Sequence, residues 1–385
     1  MGRRIPFAQP SLGAEEEQEV LNVLRSGWLT AGPRVREFEI CFSKYIGSKY
    51  AVALNSATSA LFLALKSLGV GAGDEVITTP FTFVSTASAI ILTGAVPIFS
   101  DIEGDSLNLD PNQLESKITD KTRAILVVHF AGRPANLDAI GSIASKHGLP
   151  LIEDAAHAIG SSYKGRLIGS GGNLTAFSFY PTKNMTAAEG GMLVTDDEEA
   201  ARSIRLSRWY GLAEAVWERS QEPYYDASEV LIPSLKHNMS DLQAAIGICQ
   251  LRKLGDFNRI RSEYARLYLD LLSNVSELAL PSMDTVASKS SWHLFVIRIK
   301  SAKFSRKDLC SALAAKNVST SYHYKSLHLH AYFRGTRGFK EWNFPNAALA
   351  SREVVSLPIY PKMDVPDVEY VAESVLTAVR ELGRG

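Results

Sequence analysis

The 385-residue chain has no surplus of charge, because 41 Lys+Arg stand against 41 Asp+Glu and the formal net charge is zero. Composition therefore excludes a strongly basic nucleic-acid binder and an acidic tail protein. Cysteine is scarce. Cys41, Cys249 and Cys310 are far apart, form no Cys-x-x-Cys and build no disulfide framework, so they read as small buried residues in a reducing compartment. The N-terminus begins with basic residues but lacks an apolar run behind them, and Glu15, Glu16 and Glu17 follow, which is unlike a leader segment. The longest uncharged stretch, 78–100, contains Pro80, Gly94 and Pro97 with several Ser and Thr, and reads as a strand, loop, helix and strand rather than a membrane span. No repeat or low-complexity tract is present. What is present is 46% hydrophobic and 21% charged residues, enough for two or three packed domains and incompatible with disorder. These readings give a soluble cytoplasmic protein with no nucleic-acid and no membrane partner.

The first two thirds alternate strand-like runs (50–54, 75–79, 96–101, 123–130, 149–153, 175–179, 192–195) with helical patterns at 57–68, 85–92, 111–117 and 136–147. Ala124-Ile-Leu-Val-Val128 is continuously apolar, as strands covered on both faces are. The spacing predicts right-handed βαβ units in a large three-layer α/β domain around a mostly parallel sheet. Past residue 197 the pattern turns helical, with helices over 241–254 and 256–272. Strands at 292–299 and 319–323 and helices at 306–316 and 368–382 then predict a smaller C-terminal α+β domain. The division expected is an N-terminal arm and large domain over 1–255 and a small domain over 256–385. Arg202, Arg205 and Arg208 read as a solvated helix face, and Gly69-Val-Gly-Ala-Gly73 as a turn, since it precedes a strand and lacks the order of a nucleotide loop.

Ligands of such a domain collect at the carboxyl ends of the strands. There the sequence places Asn55-Ser-Ala-Thr58, Thr79-Pro-Phe-Thr-Phe83, Glu153-Asp-Ala-Ala-His157 and Ser178-Phe-Tyr-Pro-Thr-Lys183. Each piece alone has an ordinary meaning: a cap, a loop residue, a solvated lysine. Together they supply an amine, a carboxylate, an imidazole, an aromatic ring and a hydroxyl-rich helix N-terminus. That set suits pyridoxal phosphate, which needs a Schiff-base lysine, a carboxylate for its ring nitrogen and an anion site.

Glu153-Asp-Ala-Ala-His157, followed by Phe177-Ser-Phe-Tyr-Pro-Thr-Lys-Asn184 and Glu189-Gly-Gly-Met192, resembles the DegT/DnrJ/EryC1/StrS family of sugar aminotransferases. Ser26-Gly-Trp-Leu-Thr-Ala-Gly-Pro33, Val128-His-Phe-Ala-Gly132, Asn238-Met-Ser-Asp-Leu-Gln-Ala-Ala245 and Leu357-Pro-Ile-Tyr-Pro361 extend the likeness over nearly the whole chain. The resemblance implies a fold-type-I pyridoxal-phosphate transferase. Lys183 would carry the cofactor as an internal aldimine, Asp154 would pair with the pyridine nitrogen, and His157 would sit by the phenolic oxygen. Phe83 would stack on the ring, while Ala57, Thr58 and Ser178 would hold the phosphate. Asn238, with Lys236 beside it, would reach the phosphate of a neighbouring subunit's cofactor, so a homodimer with shared active sites is implied. The reaction implied moves an amino group from L-glutamate to a nucleotide-linked keto-deoxysugar at C3 or C4. A dehydratase or a non-catalytic regulatory relative is the alternative; dehydratases of this family carry histidine where this chain has Lys183. Two departures from the family pattern are Ala57 and Ala188, each where glycine is usual.

Other residues carry weaker expectations. Trp28, His129, His328 and His330 are candidates for the substrate cavity, each with packing as its plain alternative. The histidine-rich run 322–330 lacks a Cys or acidic pair to complete a metal site, so no metal is expected.

Overall fold

The computed structural model describes residues 4–213, 217, 220–221 and 229–384. Nine strands belong to its larger unit: β1 (Tyr50–Leu54), β2 (Glu75–Thr78), β3 (Val96–Phe99), β4 (Thr122–Val128), β5 (Leu151–Asp154), β6 (Ser162–Tyr163), β7 (Arg166–Leu167), β8 (Leu174–Ser178) and β9 (Gly191–Thr195). Seven form one sheet in the order β1-β9-β8-β5-β4-β2-β3, and only β9 runs against the rest. In β4, Ala124, Leu126 and Val128 pack into a cluster with Leu61 and Leu65, whereas Ile125 and Val127 pack with Ile140 and Ala144. Both faces are thus covered by helices, which is why the run is apolar without alternation. The 78–100 stretch crosses from β2 through the helix Val84–Leu92 into β3. Among the described residues no helix is long and apolar enough to cross a membrane.

The smaller unit is built on β10 (Leu278–Ala279), β12 (Phe295–Ile299) and β13 (Val354–Leu357), an antiparallel sheet, while β11 (Ser288–Lys289) pairs with β6 of the larger unit. Four expectations are corrected here. First, the helices foreseen at 241–254 and 256–272 are one helix, Asp241–Leu272, so a border at 255 falls inside a continuous element. Second, Ile5 of the N-terminal arm bridges Val318 and is buried with Tyr268, Phe295 and Val375, so the arm's start belongs to the small unit's core. Third, 319–323 is not a strand: only Ser321 pairs, with Ser356. Fourth, the arginine face is not simply solvated. Arg208 turns inward to an ion pair with the largely buried Glu39, and Arg205 donates to the Ala51 carbonyl.

The two units meet over Phe81, Phe99 and Phe130 on one side and Leu294, Phe333 and Phe344 on the other, all buried in one cluster. Phe81 and Phe130 of this seam follow the carboxyl ends of β2 and β4.

Candidate active site

Asp154 closes β5 and is buried. Its Oδ2 accepts the Thr86 hydroxyl (2.8 Å), Thr86 in turn bonds Thr82 (2.8 Å), and its Oδ1 accepts the Ala156 N–H (3.2 Å). Burial raises the carboxyl's pKa above the usual range, although Thr86, Ala156 and the positive charge of Lys183 pull the other way. Lys183 lies in the turn after β8, its N–H donated to the Tyr180 carbonyl (2.9 Å). Asn184 pins that turn: its amide donates to Asn258 Oδ1 and to the Ser291 carbonyl (both 2.7 Å), and its oxygen meets His293 Nδ1 (3.1 Å). Burial brings the Lys183 amine down to about 8, with Asp154 opposing. About a tenth of it is then neutral at pH 7, against roughly one part in 3000 for an ordinary lysine.

Around this pair stand His157, His293, His323 and Tyr324. The His157 and His293 rings are 4.4 Å apart and Tyr324 Oη lies 3.0 Å from His157 Nε2. Burial and Lys183 lower the pKa of His157 and His323, His323 to about 4. Burial, His157 and Lys183 do the same to His293. Phe83 caps the helix Val84–Leu92 with its ring 57% exposed, facing Tyr324 at 6.1 Å. Thr86, Asn184, His293, His323 and Tyr324 were not foreseen. The last three come from the small unit; the crowding of aromatic and imidazole residues at 322–324 hinted at His323 and Tyr324, and nothing pointed to His293.

A helix N-terminus lies at the same edge of the sheet as the turn that carries Lys183. Ser56 caps the helix Ala57–Ser67, accepting the Ser59 N–H on its hydroxyl and the Ala60 N–H on its carbonyl. The Ala57 and Thr58 N–H groups stay open among the described residues, at the positive end of the helix. Gly191 of β9, opposite Ser178, lets this helix approach: a Cβ there would lie 2.4 Å from the Ser56 carbonyl carbon and 2.5 Å from Ala57 N. A Cβ on Gly190 would lie 2.6 Å from Met239. Backbone contact thus demands the glycine at 191, whereas at 190 the end of the Met239 side chain could shift. Asn238 bridges Leu54 next to this helix, with its side-chain oxygen buried and unpartnered, and Lys236 projects over the Trp209 ring at 5.1 Å. An amine facing a carboxylate, open N–H groups at a helix start and a bare aromatic face fit pyridoxal phosphate.

The remaining candidates go elsewhere. His129 is sealed behind β4, accepting the Ala135 N–H at Nδ1 (3.1 Å) and bonding Glu153 at Nε2 (2.8 Å), so it cannot line a substrate cavity. His328 lies in the short turn Leu327–Leu329. It is buried against Phe344, bonded to Ser326 and lowered to about 4 by burial. His330 bonds the Lys325 carbonyl beside it (3.2 Å). Trp28 donates to the Ala31 carbonyl (3.2 Å) and packs edge-on against Trp217. These four are held by packing and local bonds.

Residues 10–376 match the DegT/DnrJ/EryC1/StrS aminotransferase family. The chain is 46% identical over 379 residues to the spore coat polysaccharide biosynthesis protein SpsC of Bacillus subtilis, covering 98% of this chain and 97% of that one. Among solved structures it is similar to the PMP form of Spr1654 from Streptococcus pneumoniae, with a TM-score of 0.93 and 31% identity, covering 98% and 100% of the two chains. The Helicobacter pylori aminotransferase PseC, involved in the biosynthesis of pseudoaminic acid, matches with a TM-score of 0.91 and 29% identity over 98% and 100%.

Proposed function

The chain belongs to the DegT/DnrJ/EryC1/StrS aminotransferase family, as a sugar aminotransferase with pyridoxal phosphate as cofactor, and we propose that it moves an amino group from L-glutamate to a nucleotide-linked keto-deoxysugar. The observation that carries this reading is the placement of the half-buried Lys183, in the turn after β8, within reach of the charge of the buried Asp154 at the end of β5, with desolvation bringing its amine down to about 8. When bound, the cofactor supplies an aldehyde for the amine and a ring that takes up electrons. Asp154 would hold the ring nitrogen's proton, kept in line by Thr86. Ala57, Thr58 and Ser178, with Asn238, would hold the phosphate, and Phe83 would cover one ring face. Lys183 Nζ then takes the proton from the α-carbon of glutamate and, in the second half of the cycle, delivers one to the sugar carbon that gains the amine, C3 or C4.

A homodimer with shared sites is part of the proposal. Ile40 and Leu231, 60% and 57% exposed, line a cavity of 1280 Å³ that also includes Asn238 and charged residues such as Arg36 and Arg202, an opening wide enough to seat a second copy. All three cysteines are free, which supports the cytoplasm as the location. The test is direct. The purified protein with pyridoxal phosphate should lose its visible absorbance on adding L-glutamate and release 2-oxoglutarate, and a panel of keto-sugar nucleotides should restore the absorbance as an amino sugar forms. Lys183→Ala should abolish both the absorbance and the transfer. Transfer at the unsubstituted rate in that variant would sink the assignment.

A further inference from the structure

His157 is bonded in a way that fixes its proton. Nδ1 accepts the Ala131 backbone N–H (3.3 Å), which in a neutral ring leaves the proton on Nε2. The ring is neutral because burial and the Lys183 charge hold its pKa well below the ordinary histidine range. Nε2 lies 3.0 Å from the Tyr324 hydroxyl, so the imidazole donates and the phenol oxygen accepts. Tyr324's own proton is thereby turned away from His157. Among the described residues no group accepts it. The phenol stands between Phe83 and Phe130, at 6.1 and 6.2 Å between ring centres. Burial and Asp154 push its ionisation far up, so it keeps its proton.

We propose that Tyr324, aimed by His157, is the residue that presents a hydrogen-bond donor to the phenolic oxygen of the bound cofactor, with His157 as its positioning residue. The proposal rests on the cofactor reading above and moves to Tyr324 a contact that the family resemblance implies for His157. Both ring nitrogens of His157 are already engaged by the protein, whereas the Tyr324 proton is free to leave for a ligand. The ionisable groups around the couple are Lys183 in the turn after β8, Asp154 on β5, and His293 and His323 from the small unit. His293 and His323 are held neutral by burial, so Lys183 and Asp154 carry the only nearby charges among them.

A donor at the phenolic oxygen shares that oxygen's negative charge and leaves less of it to hold the neighbouring nitrogen's proton. Tyr324→Phe should therefore raise the pH midpoint of the bound cofactor's visible absorbance by about one unit, the size expected for one charge-assisted hydrogen bond, with far-UV circular dichroism unchanged. His157→Ala should give a rise in the same direction, His157→Gln should stay near the unsubstituted midpoint, and His157→Ala should add nothing to Tyr324→Phe. An unmoved midpoint in Tyr324→Phe overturns the proposal. So does a full His157→Ala shift on top of it, since His157 would then be the donor. If His157→Ala does not fold, Tyr324→Phe decides alone. An unsubstituted protein with no visible absorbance after incubation with pyridoxal phosphate would instead remove the cofactor reading itself, and the proposal with it.

Discussion

Lys183 and Ala188 lie five residues apart and show two ways in which a single side chain sets local chemistry. Because burial brings the Lys183 amine to about 8, its neutral fraction grows about tenfold per pH unit below that point and then levels. Mixing cofactor-free protein with pyridoxal phosphate should show a rate of visible absorbance gain that follows this curve. Asp154 raises the amine's pKa, so Asp154→Asn should move the plateau to lower pH. Ala188 has φ 63°, in the left-handed region. Relief of about 1–2 kcal/mol of backbone strain, less about 0.5–1 kcal/mol of extra unfolded-chain freedom, makes Ala188→Gly stabilising by about 0.5–1 kcal/mol, readable as a higher denaturation midpoint. Ala57 shows no such strain, since it opens a helix. Lys183 and Asp154 were legible in the sequence because one lies in the turn that directly follows its strand and the other closes its strand. Tyr324, His293 and Asn184 were not, because what brings them to the amine is the meeting of two units whose geometry no local pattern encodes.

Among the elements, the long helix Asp241–Leu272 organises its neighbours through its first residue. Asp241 is buried, and its carboxylate accepts the backbone N–H groups of Gly32 (2.9 Å), Val35 (3.0 Å) and Arg34 (3.2 Å) at the start of the helix Pro33–Ile46. That helix is preceded by glycine and has no side-chain cap of its own. Asp241→Ala should therefore cost about 2–4 kcal/mol, since it strips three donors of a charged acceptor at a helix start; urea unfolding would measure it. Strand positions in the seven-stranded sheet were legible to within two residues because buried strands are short apolar runs between turns, whereas β12 starts three residues later than expected and β13 was not foreseen. The continuity of this helix through Gly255 was not: a helical glycine costs only about 1 kcal/mol, and packing along the helix outweighs it. The missing strand at 319–323 has the same kind of cause, since β propensity there meets a partner at Ser321 alone.

Across the whole molecule, the aromatic seam joins what the composition suggested as separable domains. Phe344 is buried against Phe99 and Phe339, with ring centres 5.9 and 5.4 Å away, and His328 packs on its edge. Phe344→Ala should cost about 3–5 kcal/mol, and thermal unfolding followed by circular dichroism and by tryptophan fluorescence should still coincide in one transition. Two separate transitions would mean that the seam does not couple the units. The fold class was readable from the alternation of elements, but the border between units was not, because the chain crosses it more than once. Ile5 makes the first of these crossings, filling the core of the smaller unit from the opposite end of the polypeptide. A C-terminal fragment expressed by itself would therefore be born with a hole where that isoleucine belongs, and a synthetic peptide spanning the first dozen residues is what should mend it.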